Sequence, residues 1–571
     1  MRERWVEAPR IEGNQEMAQR LGVSPLTVRM IRNRVGMSEE AVRDYLFGEM
    51  DSLADPLLMK GIREAVCLLR EKRDVGASIR IIGDYDIDGV NATHILLTGL
   101  KRIGARVDTV IPDRMKDGYG VNENLIREAS AAGIDTIVTC DNGIAAAQEI
   151  AFAKSLGMTV VVTDHHEIPY REVDGERMPL LPPADVIVNP KQVDCGYPFK
   201  CLCGAAVAWR LVQALYGADG IPKEEALELA EFAAVATVGD IMELFGENRI
   251  LVRYGLKRLE QTKNPGYRAL IRVNGLEGKR ITAYHIGFVI GPCINASGRL
   301  DTAKRALELL GVDDSRRAEE LAGDLKALND SRKALTVKGT EEAEKQIEET
   351  DLKMDRVLVV YLPKCHESLA GIIAGRIRER YYRPCFVLTD GEEGVKGSGR
   401  SIEGYHMFEE MTRVRELFTR YGGHPMAAGL SMESDKVEEF RRRLNENCTL
   451  TEEELVPMVN YDAVLPIQYA GERLIEELEL LEPFGKGNEK PLFAAGNLIV
   501  KSARIIGKNA NVLKLILENG KGTRMEAISF GDVEEELEYI EGKERISILY
   551  YPEMNEYMGR RTVQLVVTAY R

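Results

Sequence analysis

The sequence predicts an α/β protein: a parallel-sheet domain, a long connecting helix, a second α/β domain and a C-terminal OB-like β-barrel. Three observations predict it. From Ala77 onward, short β-rich runs alternate with helical patterns, as in a parallel sheet covered by helices. Across residues 313–350 a charged stretch carries Leu321, Leu325 and Leu328 at helical spacing. Beyond Leu455, β-rich runs are separated by glycine turns, which is the pattern of a small barrel.

Taken in order, residues 1–50 form a mixed polar and apolar helical segment. Gln15–Val35 superficially resembles a helix-turn-helix, but no third helix is evident, and a short helical pair packed on the following domain is expected instead. Residues 51–312 make the first α/β domain. Its expected strands are Ser78–Gly83, Arg106–Ile111, Thr136–Thr139 and Thr159–Thr163, with helices at Val90–Ile103, Glu123–Ala132 and Ala145–Leu156. The connecting helix, at 1.5 Å per residue, spans roughly 50 Å. Residues 351–454 open with the strand Arg356–Tyr361 and form the second α/β domain. Residues 455–571 form the barrel, with expected strands at Asn497–Ile506, Val512–Leu517, Arg545–Tyr551 and Thr562–Ala569.

With 571 residues the chain is too long for one core. Its nine cysteines are odd in number and irregularly spaced, which fits reduced thiols in a cytoplasm better than a disulfide framework. Cys195, Cys201 and Cys203 do not follow a standard zinc spacing and read as small hydrophobes. No run is apolar enough to span a membrane, and Met1–Trp5 lacks the apolar core of a signal peptide. The net charge of −15 argues at first against nucleic acid. Binding depends on local patches, however. Lys490–Leu517 holds Lys490, Lys501, Arg504, Lys508 and Lys514 without one acid, and Phe493 lies at its start. That stretch is a candidate single-strand surface, combining backbone charge with base stacking.

Four motifs carry the chemistry. Asp84-Tyr85-Asp86-Ile87-Asp88-Gly89 follows the first strand, Cys140-Asp141-Asn142-Gly143 and Asp164-His165-His166 end later ones, and Gly239-Asp240 ends a helical run. In an open α/β sheet, ligands bind beyond the carboxyl ends of the strands. Acids gathered there repel one another unless a cation offsets them or some protonate. Carboxylates mixed with imidazole suit Mn²⁺ or Mg²⁺, and two such ions can serve an in-line phosphoryl displacement.

GDYDIDG, CDNG and TDHHE closely resemble the DHH family of phosphoesterases, and GGHPMAAG (Gly422–Gly429) resembles the core of its companion DHHA1 domain. INASGRL (Ile294–Leu300) and LEPFGKGNEKPLF (Leu481–Phe493) are similar to its single-strand-specific 5′→3′ exonuclease branch. The resemblance implies a two-metal Mn²⁺ or Mg²⁺ enzyme that degrades single-stranded DNA to mononucleotides in repair and recombination. It implies Asp86, Asp88, Asp141, His165 and Asp240 as metal ligands, Asp84 as an extra acid, and His166 beside the scissile phosphate. Arg114, Arg299, Ser398, Arg400 and His424 match positions that hold phosphates. A single-strand-binding protein and a RecQ-type helicase are candidate partners on the same basis. Lys364-Cys365-His366-Glu367-Ser368 departs from the family's usual loop at that position.

Overall fold

The computed structural model describes residues 3–113, 120–173, 175–391, 394–507, 509–557 and 559–571. They form two compact units. One comprises residues 5–292, 307–318 and 460–571; the other comprises 1–4, 293–306 and 319–459.

The first unit opens with three helices, α1 (Asn14–Leu21), α2 (Pro25–Val35) and α3 (Glu39–Phe47). Ser24 and Ser38 cap α2 and α3 by accepting hydrogen bonds from Thr27 N and Ala41 N. Two expectations are corrected here. A third helix exists, and although it meets the following domain at Arg249 and Arg253, most of the trio's apolar face is buried elsewhere. Val28, Met30, Ile31, Val42 and Tyr45 instead share one core with Phe493, Leu513, Leu515 and Tyr550 of the C-terminal region. Phe493 is fully buried in that core and is unavailable for base stacking.

The parallel sheet has strands β1 (Ser78–Ile82), β2 (Arg106–Val110), β3 (Thr136–Cys140), β4 (Thr159–Thr163) and β5 (Val186–Val188). Their order is β2-β1-β3-β4-β5, with every pairing parallel. Against this sheet and each other pack α4 (Ile87–Arg102), α5 (Gly204–Ala218), α6 (Ala230–Gly239) and α7 (Gly246–Leu259). β3 is buried at all five positions and α5 at twelve of its fifteen, so this layer is a continuous apolar core that holds the strand ends fixed.

One titratable group sits inside that core. His94 on α4 is buried, its Nδ1 has no hydrogen-bond partner among the described residues, and its ring lies 4.4 Å from that of Phe232 on α6. Burial, with a smaller push from Lys101, depresses its pKa from 6.5 to about 4. The native state therefore excludes a proton that the unfolded chain takes up. Stability is full above pH 6.5 and is lost as pH falls towards 4, by on the order of 3 kcal/mol. The His94→Leu variant should lose less stability between pH 7 and 4.5 than the wild type, as read from urea midpoints. Equal losses would show that His94 is not a source of acid lability.

A 35-residue helix, α8 (Ser315–Glu349), follows. In the second unit a mixed sheet contains β6 (Leu358–Tyr361), β7 (Cys385–Gly391), β8 (Gly394–Arg400), β9 (Phe418–His424) and β10 (Ala427–Met432), in the order β9-β10-β8-β7-β6. α9 (Glu367–Tyr381) covers it, burying Leu369, Ile373 and Ile377 against Leu358, Val360 and Val387.

The C-terminal region is a closed barrel. β11 (Ala463–Val464) adds to β12 (Phe493–Ile506), and β13 (Val512–Glu518), β14 (Arg524–Ser529), β15 (Ile546–Tyr557) and β16 (Arg560–Tyr570) complete the circuit. The β12-β13-β14-β16-β15 series closes through the β15–β12 pairing, and β14 runs parallel to β16. This is the five-stranded OB arrangement. The acid-free stretch of the sequence is not acid-free in space. Lys501 pairs with Glu518 at 3.0 Å and Lys514 with Glu526 at 2.8 Å, while Lys490 lies 3.6 Å from the centre of the Tyr551 ring. Lys508 lies outside the described residues.

Candidate metal centre

All four acidic motifs meet at the carboxyl edge of the parallel sheet. Asp86 caps α4, accepting from Asp88 N at 2.9 Å and Gly89 N at 3.1 Å. That cap sets Asp88 in the first helical turn, where its two oxygens accept from Gly204 N (2.6 Å) and Ala205 N (2.7 Å) at the start of α5. A helix N-terminus favours an anion in this position. Position 204 must be glycine, because a Cβ there would lie 2.7 Å from the Cβ of Asp141.

Asp141 follows β3 with φ of +60°. This left-handed conformation is tolerated by aspartate and costly for most residues. It turns the carboxylate towards His165, whose Nε2 is 3.1 Å from Asp141, 3.6 Å from Asp88 and 3.7 Å from Asp240. Potential ligand atoms fall into three overlapping groups, each within 4.8 Å: Asp141, His165 and His166; Asp88, His165 and Asp240; Asp84, Asp86 and Asp141. Asp141 and His165 each belong to two groups, so the three merge into one patch with room for adjoining cations.

Electrostatics favour positive charge there. Burial, then repulsion from Asp88, pushes Asp86 and Asp141 upward, Asp141 strongly. The same two causes push Asp240 to about 8. Buried carboxyls whose ionisation is opposed by one another gain most from a nearby cation, so the patch is a strong cation trap. Hard oxygen donors with imidazole and without cysteine fit Mn²⁺ or Mg²⁺.

Asp164 has a different role that the sequence did not reveal. One of its oxygens accepts from the backbone N of His165 and His166 and pairs with His166 Nδ1 at 2.8 Å; the other accepts from Ile144 N. Burial, the largest single influence, raises its pKa, but these bonds together hold it below the ordinary value. His166 is opposed by burial in turn, yet Asp164 raises its pKa on balance. Asp164 therefore orients His166 through its Nδ1.

Four of the five expected phosphate residues lie in the other unit. Arg299 donates to Ser368 O at 3.1 Å, in the first turn of α9. The Arg400 guanidinium lies against Gly371 of the same helix. Ser398 and Arg400 share one face of β8, and Arg400 and His424 both register with Ala427 of β10. Arg299 and Arg400 thus both meet the first two turns of α9. In the unusual loop His366 caps α9, accepting from Ser368 N. Arg114 lies outside the described residues.

Comparison with known proteins agrees with this architecture. The family models for the DHH family N-terminal domain, the DHHA1 domain and the RecJ OB domain match residues 78–237, 355–449 and 461–569. The single-stranded-DNA-specific exonuclease RecJ of Bacillus subtilis (strain 168) is 36% identical over 569 residues, covering 99% of this chain and 70% of its own. The protein of the same name from Escherichia coli (strain K12) is 34% identical over 535 residues, covering 89% and 90%. The crystal structure of RecJ in complex with Mn²⁺ from Thermus thermophilus aligns with a TM-score of 0.82 and 29% identity, covering all of this chain and 79% of that one. A structure of exonuclease RecJ bound to manganese aligns with a TM-score of 0.60 and 35% identity, covering 70% of this chain and 96% of that one. Three domain models in sequence and a third of the residues shared over nearly the whole length place the chain in the RecJ family.

Proposed function

We propose that this chain is a divalent-metal-dependent exonuclease that degrades single-stranded DNA from the 5′ end to mononucleotides in DNA repair and recombination. The merged carboxylate–imidazole patch carries the reading. Asp84, Asp86, Asp88, Asp141, His165 and Asp240 hold Mn²⁺ or Mg²⁺, which supply Lewis-acid stabilisation of the phosphoryl group and a nucleophile at neutral pH. His166, aligned by Asp164, donates to an oxygen of the scissile phosphate. Arg299, Ser398, Arg400, His424 and Arg114 hold the terminal phosphate, and the barrel holds the strand by its backbone. A single-strand-binding protein and a RecQ-type helicase are proposed as partners, and the cytoplasm as the location. Among the described residues no helix is long and apolar enough to cross a membrane.

An oligonucleotide labelled at either end and incubated with Mn²⁺ tests the reading. Labelled mononucleotide should appear first from the 5′ end, faster from a 5′-phosphate than from a 5′-hydroxyl, because a charge-assisted bond is about twice as strong as a neutral one. Arg400→Ala should remove most of that preference. Release from the 3′ end first, or equal rates for both 5′ termini in the wild type, would overturn the polarity or the phosphate cradle respectively.

A further inference from the structure

The segment Leu481–Phe493 has no part in the chemistry above. It folds as a hook in front of the barrel, held by a fully buried Asn488. The Asn488 Nδ2 donates to the carbonyls of Leu481 and Pro483, both at 2.8 Å, and its Oδ1 accepts from the Tyr45 hydroxyl at 2.7 Å. Gly485 and Asn488 exchange backbone hydrogen bonds of 3.0 Å. The tip of the hook seats on the turn that follows Asp240. Leu244 N donates to Lys486 O at 2.8 Å, and a Cβ at position 485 would lie 2.6 Å from Leu244 Cδ1. That turn is tightly tied to α6: Asp240 N bonds Ala236 O, and Met242 N bonds Thr237 O. Between them Ile241, a β-branched residue, sits at φ +56°, a conformation that persists only where its surroundings enforce it. Hook, turn and Asp240 are thus one rigid assembly.

This assembly carries an exposed cation. The Lys486 side chain is exposed, and among the described residues no carboxylate pairs with it. Lys191, whose charge is felt at His165, is by contrast bound to Glu167 at 2.9 Å. The Lys486 backbone is bonded to Leu244, four residues beyond Asp240, so its ammonium is carried beside the acid patch on a backbone that cannot easily drift. Once cations offset the acids, that ammonium is a donor for a phosphate oxygen at the rim of the site.

We propose that Lys486 is a further substrate-binding residue: it holds a backbone phosphate of the single strand next to the phosphate at the acid–histidine patch. This rests on the exonuclease reading above. Full-length Lys486→Gln, assayed on single strands with Mn²⁺, should show a KM raised roughly three- to tenfold with kcat within about twofold. The KM rise should be equal for strands of different base sequence, because a phosphate contact carries no sequence information. The slope of log affinity against log salt should become shallower by about 0.7, the value for one phosphate contact on a single strand. Lys486→Arg should restore both KM and slope. Unchanged KM and slope in Lys486→Gln, beside an active wild type, would overturn the proposal. So would a fall in kcat alone, or tighter Mn²⁺ binding with an unchanged slope, which would make Lys486 a structural counter-ion of Asp240. A wild type that leaves single strands intact would overturn the exonuclease reading itself.

Discussion

Replacing Asp141 by asparagine should lower Mn²⁺-dependent nucleotide release by at least about a thousandfold while leaving the metal-free protein as stable as the wild type, or more so. Asp141 belongs to two of the three ligand groups and lies 3.1 Å from His165, so its loss weakens every cation position it touches. Asparagine keeps the shape and tolerates the positive φ, which separates the charge from the turn. The stability half of the prediction follows from repulsion. Asp141 is buried among Asp84, Asp86, Asp88 and Asp240, and its raised pKa reports the cost of ionising it there. Removing one of several repelling buried carboxylates relieves that cost when no metal is bound. Nucleotide release with Mn²⁺ and melting temperature in a chelator read the two halves independently. Turnover within tenfold of wild type would remove Asp141 from the ligand set. A melting temperature several degrees lower in chelator would show that its role is structural.

A chain ending at residue 454 should aggregate, whereas residues 51–454 should stay soluble. From the sequence, loss of the barrel is expected to leave cleavage of short strands intact. The structure changes that expectation, because α1–α3 bury their apolar face in the barrel core. Each fully buried side chain such as Val28, Met30 or Ile31 contributes about 1.5–3 kcal/mol. Exposing the four of that kind, Val28, Met30, Ile31 and Val42, costs roughly 6–12 kcal/mol, comparable with a domain's net stability of about 5–15 kcal/mol. Arg249 is stitched into the same junction. Its guanidinium donates to the carbonyls of Tyr45, Leu480 and Leu481 and stacks 3.7 Å from the Tyr45 ring centre. Burial lowers its pKa to about 10. Removing α1–α3 together with the barrel leaves that arginine free to meet water. Size-exclusion chromatography of the two truncations distinguishes the outcomes, and equal behaviour would show that the shared core contributes little.

The parts legible in the sequence share a physical cause. β1, β3 and β4 are apolar runs ending in acids, so both the parallel sheet and its ligand edge declare themselves. The family motifs then supply the ligand and phosphate residues. What escapes is either short or non-local. β5 has only three residues, and β14, RMEAIS, lacks a β-rich pattern; yet β5 completes the parallel sheet and β14 the barrel circuit. The helix Glu39–Phe47 does carry a readable signal, a serine cap followed by two acids, but it is short and its apolar partners lie some 450 residues away. The Lys501–Glu518 pair is a cross-strand contact that no linear charge count can show. Asp164 is visible as a motif residue, but its work depends on a bond to Ile144 from another loop.

The core shared by the first and last parts of the chain also bears on synthesis. Tyr45 bonds Leu481 and Asn488 across 436 and 443 residues, and Thr27 bonds Glu477 across 450. At about 5–20 residues per second, a ribosome needs roughly 20–90 seconds to travel between such partners. Throughout that interval α1–α3, made before the barrel, have an apolar face that lacks most of its cover, while the domain that follows them can already fold. Their closure has to wait for the barrel strands, and a holdase chaperone has a long opportunity at residues 14–47.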